Sequence, residues 1–294
     1  MCTIRNIFML LLILFSRFAL SQSIVVWDQL LTHPNSMVPE LLKRALEVTE
    51  DEYGKYHILP SEAMEQGRVI KQMQINRVDI AVFAPNEKRE KIAIPIRIPV
   101  TGSLLSYRIC LIQPEKQAQF EKLNSLESLI THNVIIGQHQ NWPDTKIMEA
   151  NGLTLWKANK YSLLFDLLAS KRFDCFSRGA NEVVQEFYTH GYKGLVIENH
   201  LIIYYPLPLY YFVNLAKPKL AERLAKGLDI LQKNGEYEAM FSAKFGETLQ
   251  YLNMDNRIII ELENPLLSEP TRKQMQEGKD YYDQLIRKVA SDHE

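Results

Sequence analysis

The chain lacks an excess of charge of either sign. Its 34 Lys and Arg side chains nearly balance its 35 Asp and Glu side chains, which leaves a formal net charge of -1 at pH 7. Proteins that bind nucleic acid or anionic membrane surfaces through their overall charge carry a clear basic excess. The composition therefore argues against both kinds of partner.

Common catalytic and cofactor motifs are also absent from the sequence. It contains no Gly-x-Ser-x-Gly, no glycine-rich phosphate loop and no His-Glu-x-x-His. Its seven histidines are scattered, without the spacing of a metal site. We therefore expect no metal, no cofactor and no enzymatic activity.

The N-terminal apolar run is too short to span a bilayer. Residues 7–15 are apolar, follow Arg5, and precede the small residues of the segment 19–21. This order is typical of a signal peptide, and a bilayer-spanning helix needs about 20 residues. We expect residues 1–21 to be removed on export, which predicts a periplasmic protein.

A second apolar stretch, residues 201–215, contains two prolines. Pro206 and Pro208 interrupt it, and proline breaks an interior helix. The stretch therefore predicts a buried strand followed by a crossover between domains.

Cysteine is scarce. Only Cys110 and Cys175 remain after cleavage, and both lie in apolar, strand-like runs. An exported protein can oxidise such a pair. The alternative, which we favour from the sequence alone, is two inert buried thiols.

The remaining chain alternates between strand and helix patterns in two similar units. Predicted strands cover residues 23–27, 56–59, 78–83, 134–138, 153–156 and 173–177, and predicted helices cover 39–49, 61–76, 143–151 and 161–170. Two βαβαβ patterns of this kind predict an α/β fold with two lobes. Each lobe should hold a mixed, mostly parallel sheet flanked by helices.

Extended segments near residues 100–108 and 204–213 predict a two-strand hinge between the lobes. The first lobe would comprise residues 22–103 and 209–294, and the second lobe residues 104–208. Helices after residue 214 have no predicted sheet of their own, so we expect them to cover the first sheet. Two unequal domains joined end to end is the simpler alternative.

Short motifs, in order and spacing, resemble a known family over essentially the whole mature chain. They include Asn-Glu-Lys-Arg at 86–89, Gly-Gln at 137–138, Trp-Pro-Asp at 142–144 and Arg-Phe-Asp at 172–174. The chain resembles the periplasmic solute-binding proteins of the type 2 fold, and most of all the family 3 proteins of amino-acid transporters. The resemblance implies a small-molecule ligand, such as an amino acid or another small anion, and an ABC permease or membrane sensor as partner.

Two arginines follow apolar runs at matching places in the two units. Arg89 and Arg178 would lie beyond the carboxyl ends of buried strands, where open α/β sheets bind ligands. The resemblance implies that Arg89 is the anion clamp of the first lobe, and its guanidinium suits a carboxylate. The free N–H groups of a helix beginning there would also favour an anion. The alternative is a surface ion pair with Glu87 or Glu90.

Arg178 departs from the family pattern. Amino-acid binders carry an acidic residue near this position, so Arg178 puts a simple α-amino-acid ligand in doubt. It can contact a ligand, pair with Glu182 one helical turn later, or do both. For Glu182 we favour an orienting or structural role.

Four further residues are candidates for the ligand site. Gln138 offers neutral hydrogen bonds, and Trp142 offers either a stacking face or core packing. The resemblance places Trp27 as an aromatic wall and Asn86 where the family has a threonine.

These observations predict an exported solute-binding protein. It would capture a small polar, carboxylate-bearing ligand between its lobes by hinge closure and pass it to an ABC transporter. A ligand-sensing protein without a permease is one alternative, and a dehydratase-like periplasmic enzyme on the same fold is another.

Overall fold

A computed structural model describes residues 22–33, 35–190 and 194–291. The expected signal peptide, residues 1–21, lies outside the described residues.

The described strands and helices alternate through most of the chain. The strands are β1 (Gln22–Val26), β2 (Tyr56–Pro60), β3 (Ile80–Phe83), β4 (Ala93–Ile96), β5 (Tyr107–Ile112), β6 (Ile135–His139), β7 (Thr154–Ala158), β8 (Cys175–Gly179), β9 (Val196–Ile197), β10 (Leu201–Tyr204), β11 (Tyr210–Asn214) and β12 (Ile258–Glu261). The α-helices are α1 (Asp28–Leu31), α2 (Met37–Glu47), α3 (Glu50–Tyr53), α4 (Gln66–Gln74), α5 (Glu87–Glu90), α6 (Gln117–Phe120), α7 (Leu126–Thr131), α8 (Pro143–Ala150), α9 (Tyr161–Ala169), α10 (Val183–His190), α11 (Pro218–Lys233), α12 (Glu236–Leu252) and α13 (Glu269–Ser291). Short 3-10 helices occur at Leu104–Ser106, Pro114–Lys116 and Met254–Asn256.

The first sheet has five strands in the order β2-β1-β3-β11-β4. β1 pairs in parallel with β2 and β3, and α2 and α4 form the connecting crossovers. β11 enters between β3 and β4 and is antiparallel to both. Both β3 and β11 are buried along their whole length because the two faces of the sheet are covered.

The helix α11 covers the first sheet, as the sequence suggested for the helices after residue 214. It packs against α2 so closely that a Cβ atom on Gly227 would lie 2.0 Å from the carbonyl oxygen of Ala45. Only a residue without a side chain allows this approach of the two helix backbones.

The second sheet has the order β12-β10-β5-β8-β6-β7, and β9 pairs with β5. β6 is parallel to β7 and β8, and β10 is parallel to β12. β5 is antiparallel to β8, β9 and β10. Parallel pairs thus make up half of the described pairings in each sheet rather than most of them, because strands that enter from a crossover run in the opposite sense.

Both predicted crossovers are present. Residues 97–106 connect β4 to β5, and residues 205–209 connect β10 to β11. The apolar stretch 201–215 therefore supplies two buried strands. None of the described helices is both long enough and apolar enough to cross a membrane.

A third excursion between the sheets was not predicted. After α12 the chain adds β12 to the edge of the second sheet and then returns through residues 262–268 to α13, which packs on α12. On this return, the hydroxyls of Ser268 and Thr271 donate hydrogen bonds to the carboxylate of Glu90 at 2.8 and 2.9 Å. The segment 209–294 thus also contributes a strand to the second sheet.

The two cysteines form a disulfide, so the preference for buried thiols was wrong. β5 and β8 are antiparallel neighbours, and their register places Cys110 opposite Ser177, two residues from Cys175 on the same face. The Cα atoms lie 5.1 Å apart and the bond closes a sequence separation of 65 residues. The sequence could not reveal the pairing, because it does not give the order of the strands.

This disulfide makes a testable contribution to stability. Replacing both residues (Cys110→Ala with Cys175→Ala) should lower the free energy of unfolding by about 2–4 kcal/mol, since the unfolded chain regains the freedom that the loop removes. Urea unfolding measures the loss. A reductant should shift the parent protein and leave the double variant unchanged; a parent that does not respond to reduction during unfolding would contradict the assignment.

Candidate functional site

A cavity of about 560 Å³ separates the two lobes at the carboxyl ends of β1, β3 and β8. Five of the predicted site residues line it: Trp27 and Arg89 from the first lobe, and Trp142, Arg178 and Glu182 from the second. Leu207 and Leu209 of the second crossover complete the wall. The strand ends thus bring together side chains that are far apart in the sequence.

Two predicted site residues do not line the cavity. Gln138 is completely buried, and its Nε2 donates to the carbonyl oxygen of Ser177 at 3.3 Å. Asn86 precedes α5 and accepts a hydrogen bond from the backbone N–H of Arg89 at 3.0 Å. Asn86 therefore fixes the backbone that carries Arg89, and this N–H is not free for an anion.

The guanidinium of Arg89 lies on the wall of the cavity without an acidic partner. Its Nη1 donates to the carbonyl oxygen of Ala84 at 2.5 Å, and its Nη2 donates to Oε1 of Gln66 at 2.9 Å. It also lies over the ring of Phe83, 5.0 Å from the centroid. Neutral groups hold the side chain in place, so its charge stays uncompensated.

The predicted alternative, an ion pair with Glu87 or Glu90, does not form within the described residues. Glu90 instead pairs with Arg97 at 2.6 Å. Burial lowers the pKa of Arg89 to about 10, because removal from water disfavours the charged form. At neutral pH the guanidinium remains protonated, and it is the acid-free cation of this wall.

Arg178 has the opposite environment. Its Nε and Nη2 donate to the two carboxylate oxygens of Glu186 at 2.5 and 2.7 Å, and Nη2 lies 2.9 Å from Glu182. Its guanidinium carbon is 4.6 Å from the ring centroid of Trp142. Burial opposes its charge, but the two carboxylates outweigh burial and raise the pKa of Arg178. The suggested pair with Glu182 is present, and Arg178 is fully occupied.

Sequence reasoning missed Glu186. Glu182 and Glu186 are one helical turn apart and meet the same guanidinium. That spacing was a visible signal, and it indicates that a helix following β8 presents both acids to Arg178.

A second buried ion pair was also missed. Arg108 at the start of β5 donates from Nη2 to Asp144 at 2.7 Å, and the hydroxyl of Tyr205 donates to the same carboxylate oxygen at 2.5 Å. Both charged residues line the cavity. The motif 142–144 and the residue pair 107–108 contained these side chains, but nothing in the sequence linked them.

The charges of the wall therefore fall into three groups. Arg108 is matched by Asp144, Arg178 is matched by two glutamates, and Arg89 is unmatched. Burial raises the pKa of Glu182; Arg178 opposes this effect and Glu186 adds to it. A ligand with a carboxylate thus meets its strongest unsatisfied attraction at Arg89. No group of three or more His, Cys, Asp or Glu among the described residues could hold a metal ion.

No protein-family model and no curated protein matches the sequence. Solved structures do match. An ancestral arginine-binding protein bound to arginine aligns with a TM-score of 0.54 and 16% identity, over 76% of this chain and 98% of that one. A structure on glutathione import through GshT and a cystine ABC importer of Streptococcus mutans aligns with a TM-score of 0.56 and 11% identity, over 77% and 95% of the two chains.

A third match is a histidine kinase sensor domain with similarity to periplasmic binding proteins, at a TM-score of 0.53 and 18% identity, over 77% of this chain and 97% of that chain. The fold is that of the two-lobed periplasmic binding proteins. The fold prediction is confirmed, and at these identities the matches establish the fold alone.

The different environments of the two arginines lead to a prediction about stability. Arg178→Ala should lower the free energy of unfolding by about 3 kcal/mol or more, because it leaves two partly buried carboxylates unpaired. Arg89→Ala should lower it by about 1 kcal/mol or less, because it removes contacts with neutral groups only. Urea unfolding of both variants tests the contrast, and equal losses would contradict it.

Proposed function

We propose that this protein is an exported, periplasmic solute-binding protein that captures a small carboxylate-bearing ligand between its lobes. The observation that supports the proposal most strongly is Arg89, a half-buried guanidinium on the wall of the cavity without a carboxylate among the described residues. A planar guanidinium can donate two parallel hydrogen bonds to a carboxylate. The ligand supplies the missing negative charge.

The second lobe contributes surfaces rather than a free charge. Glu186 and Glu182 hold Arg178 against Trp142, so the indole and the guanidinium form one rigid plate. Asp144 is taken by Arg108 and Tyr205. Because both acids lining this wall already have cationic partners, a ligand ammonium group is not needed for binding, which agrees with the doubt that Arg178 cast on a simple α-amino acid.

Capture by closure requires contacts from both lobes. Only a ligand that contacts the closed form better than the open form shifts the equilibrium between them. Trp27, Phe83 and Arg89 offer such contacts from one side, and Trp142 with Arg108 offers them from the other. Arg108 also has a buried Nε that lacks a hydrogen-bond partner, and a ligand oxygen can accept from it.

For delivery, we propose an ABC permease, as in the import system of Streptococcus mutans. The matching sensor domain shows that the same fold also serves in signalling, which supports a membrane sensor as the second candidate. Co-purification with a permease after cross-linking supports delivery, whereas capture of a sensor alone supports the second candidate. A dehydratase-like enzyme would be recognised by conversion of the bound compound, which NMR of the released ligand detects.

The role of Arg89 can be tested directly. Arg89→Ala should weaken binding of a carboxylate ligand about 10- to 100-fold, the typical cost of losing charged hydrogen bonds. Calorimetry with a carboxylate found by thermal-shift screening measures the change.

The matched control is Arg77→Ala, an exposed arginine before β3, at the opposite end of this strand from Arg89. It should bind like the parent. If Arg89→Ala and Arg77→Ala both bind the compound as tightly as the parent, the proposed site is wrong.

A further inference from the structure

A second chamber of about 640 Å³ adjoins the cavity described above. The two share Gln29, His33, Trp142, Arg178 and Glu182 in their walls. A ligand that reaches Arg89 in the first chamber can therefore extend past the plate of Trp142 and Arg178 into the second.

Asn35 supplies a free donor to this chamber from the first lobe. Only 5% of the residue is exposed, its Oδ1 accepts from the backbone N–H of Met37 at 3.1 Å, and its Nδ2 has no hydrogen-bond partner. Buried side-chain amides are almost always bonded through both ends. A donor left unpaired at a cavity wall marks a place where a bound molecule can accept.

Asn181 supplies a free acceptor from the second lobe. It lies between β8 and α10, lines the chamber, and its Oδ1 is buried without a partner. The chamber thus carries one unpaired donor and one unpaired acceptor, on different lobes. A molecule that satisfies both contacts the two lobes at once.

The charges in this chamber do not call for an ion. Glu182 and Glu186 are held by Arg178. Burial lowers the pKa of His33, and its Nδ1 accepts from the backbone N–H of Asn35 at 3.1 Å, so the imidazole is neutral at neutral pH. The group that fits is polar and uncharged, with one acceptor and one donor.

We propose that the second chamber is a subsite for an amide group of the ligand. The amide oxygen accepts from Asn35 Nδ2, and the amide N–H donates to Asn181 Oδ1. This inference rests on the proposed function and narrows the ligand class to carboxylates that carry a secondary amide, such as N-acyl amino acids and short peptides.

Calorimetry with matched compounds tests the subsite. N-acetyl amino acids and dipeptides are each compared with the free amino acid and with the ketomethylene isostere, in which CH₂ replaces the amide N–H. The amide compounds should bind at least about 10-fold more tightly than both comparison compounds.

Two variants remove the two protein groups separately. Asn181→Leu should weaken the amide compounds about 10-fold and abolish their advantage over the isostere, since the acceptor is gone. Asn35→Asp should also weaken them, because it keeps the acceptor for Met37 and loses only the donor. Asn234→Asp makes the same change at an exposed residue with the same local bond, to Glu236 N–H, and should bind like the parent.

The outcomes separate this inference from the proposed function. If amide compounds bind no better than their isosteres and both asparagine variants match the parent, while Arg89→Ala still weakens binding, the subsite is overturned and the chamber holds only water. If Arg89→Ala binds every carboxylate as the parent does, the proposed function fails. If no compound of the panel binds, the subsite is overturned as well.

Discussion

Three guanidinium groups are withdrawn from water around one cleft, and the arrangement of the site depends on how each charge is compensated. A buried charge without a partner is costly, so folding selects an acid or a set of neutral acceptors for each one. Arg178 and Arg108 have acids on their own lobe. Arg89 has only neutral acceptors and an aromatic ring. This asymmetry makes the second lobe a rigid wall and leaves the first lobe with the electrostatic demand.

The fold was predictable because its signals are local. Apolar periodicity gave the two βαβαβ units, and two proline-interrupted or extended segments gave the crossovers. Arg89 was placed correctly on the cavity wall because a residue just beyond a buried strand has few other places to lie. What depends on strand order was not predictable: the disulfide needs β5 beside β8, and β12 needs a free edge of the second sheet.

The details of the candidate site depended on tertiary packing. Gln138 was expected at the cleft, but on a central strand its side chain enters the core and bonds to Ser177. Arg178 was recognised as a charged residue at a strand end, yet its pairing with Glu186 depends on how α10 packs over β8. A sequence lists charges; the packing decides which of them are already neutralised.

The helix that carries Arg89 is also a joint of the molecule. Its last residue, Glu90, is bonded to Arg97 on the first crossover and to Thr271 at the start of α13. The backbone N–H of Glu87, at the other end of α5, donates to the carbonyl oxygen of Leu266 at 3.4 Å. One turn of helix therefore fastens two of the strands that run between the lobes. The hand that would grip the anion and the wrist that sets the angle of the lobes are the same four residues.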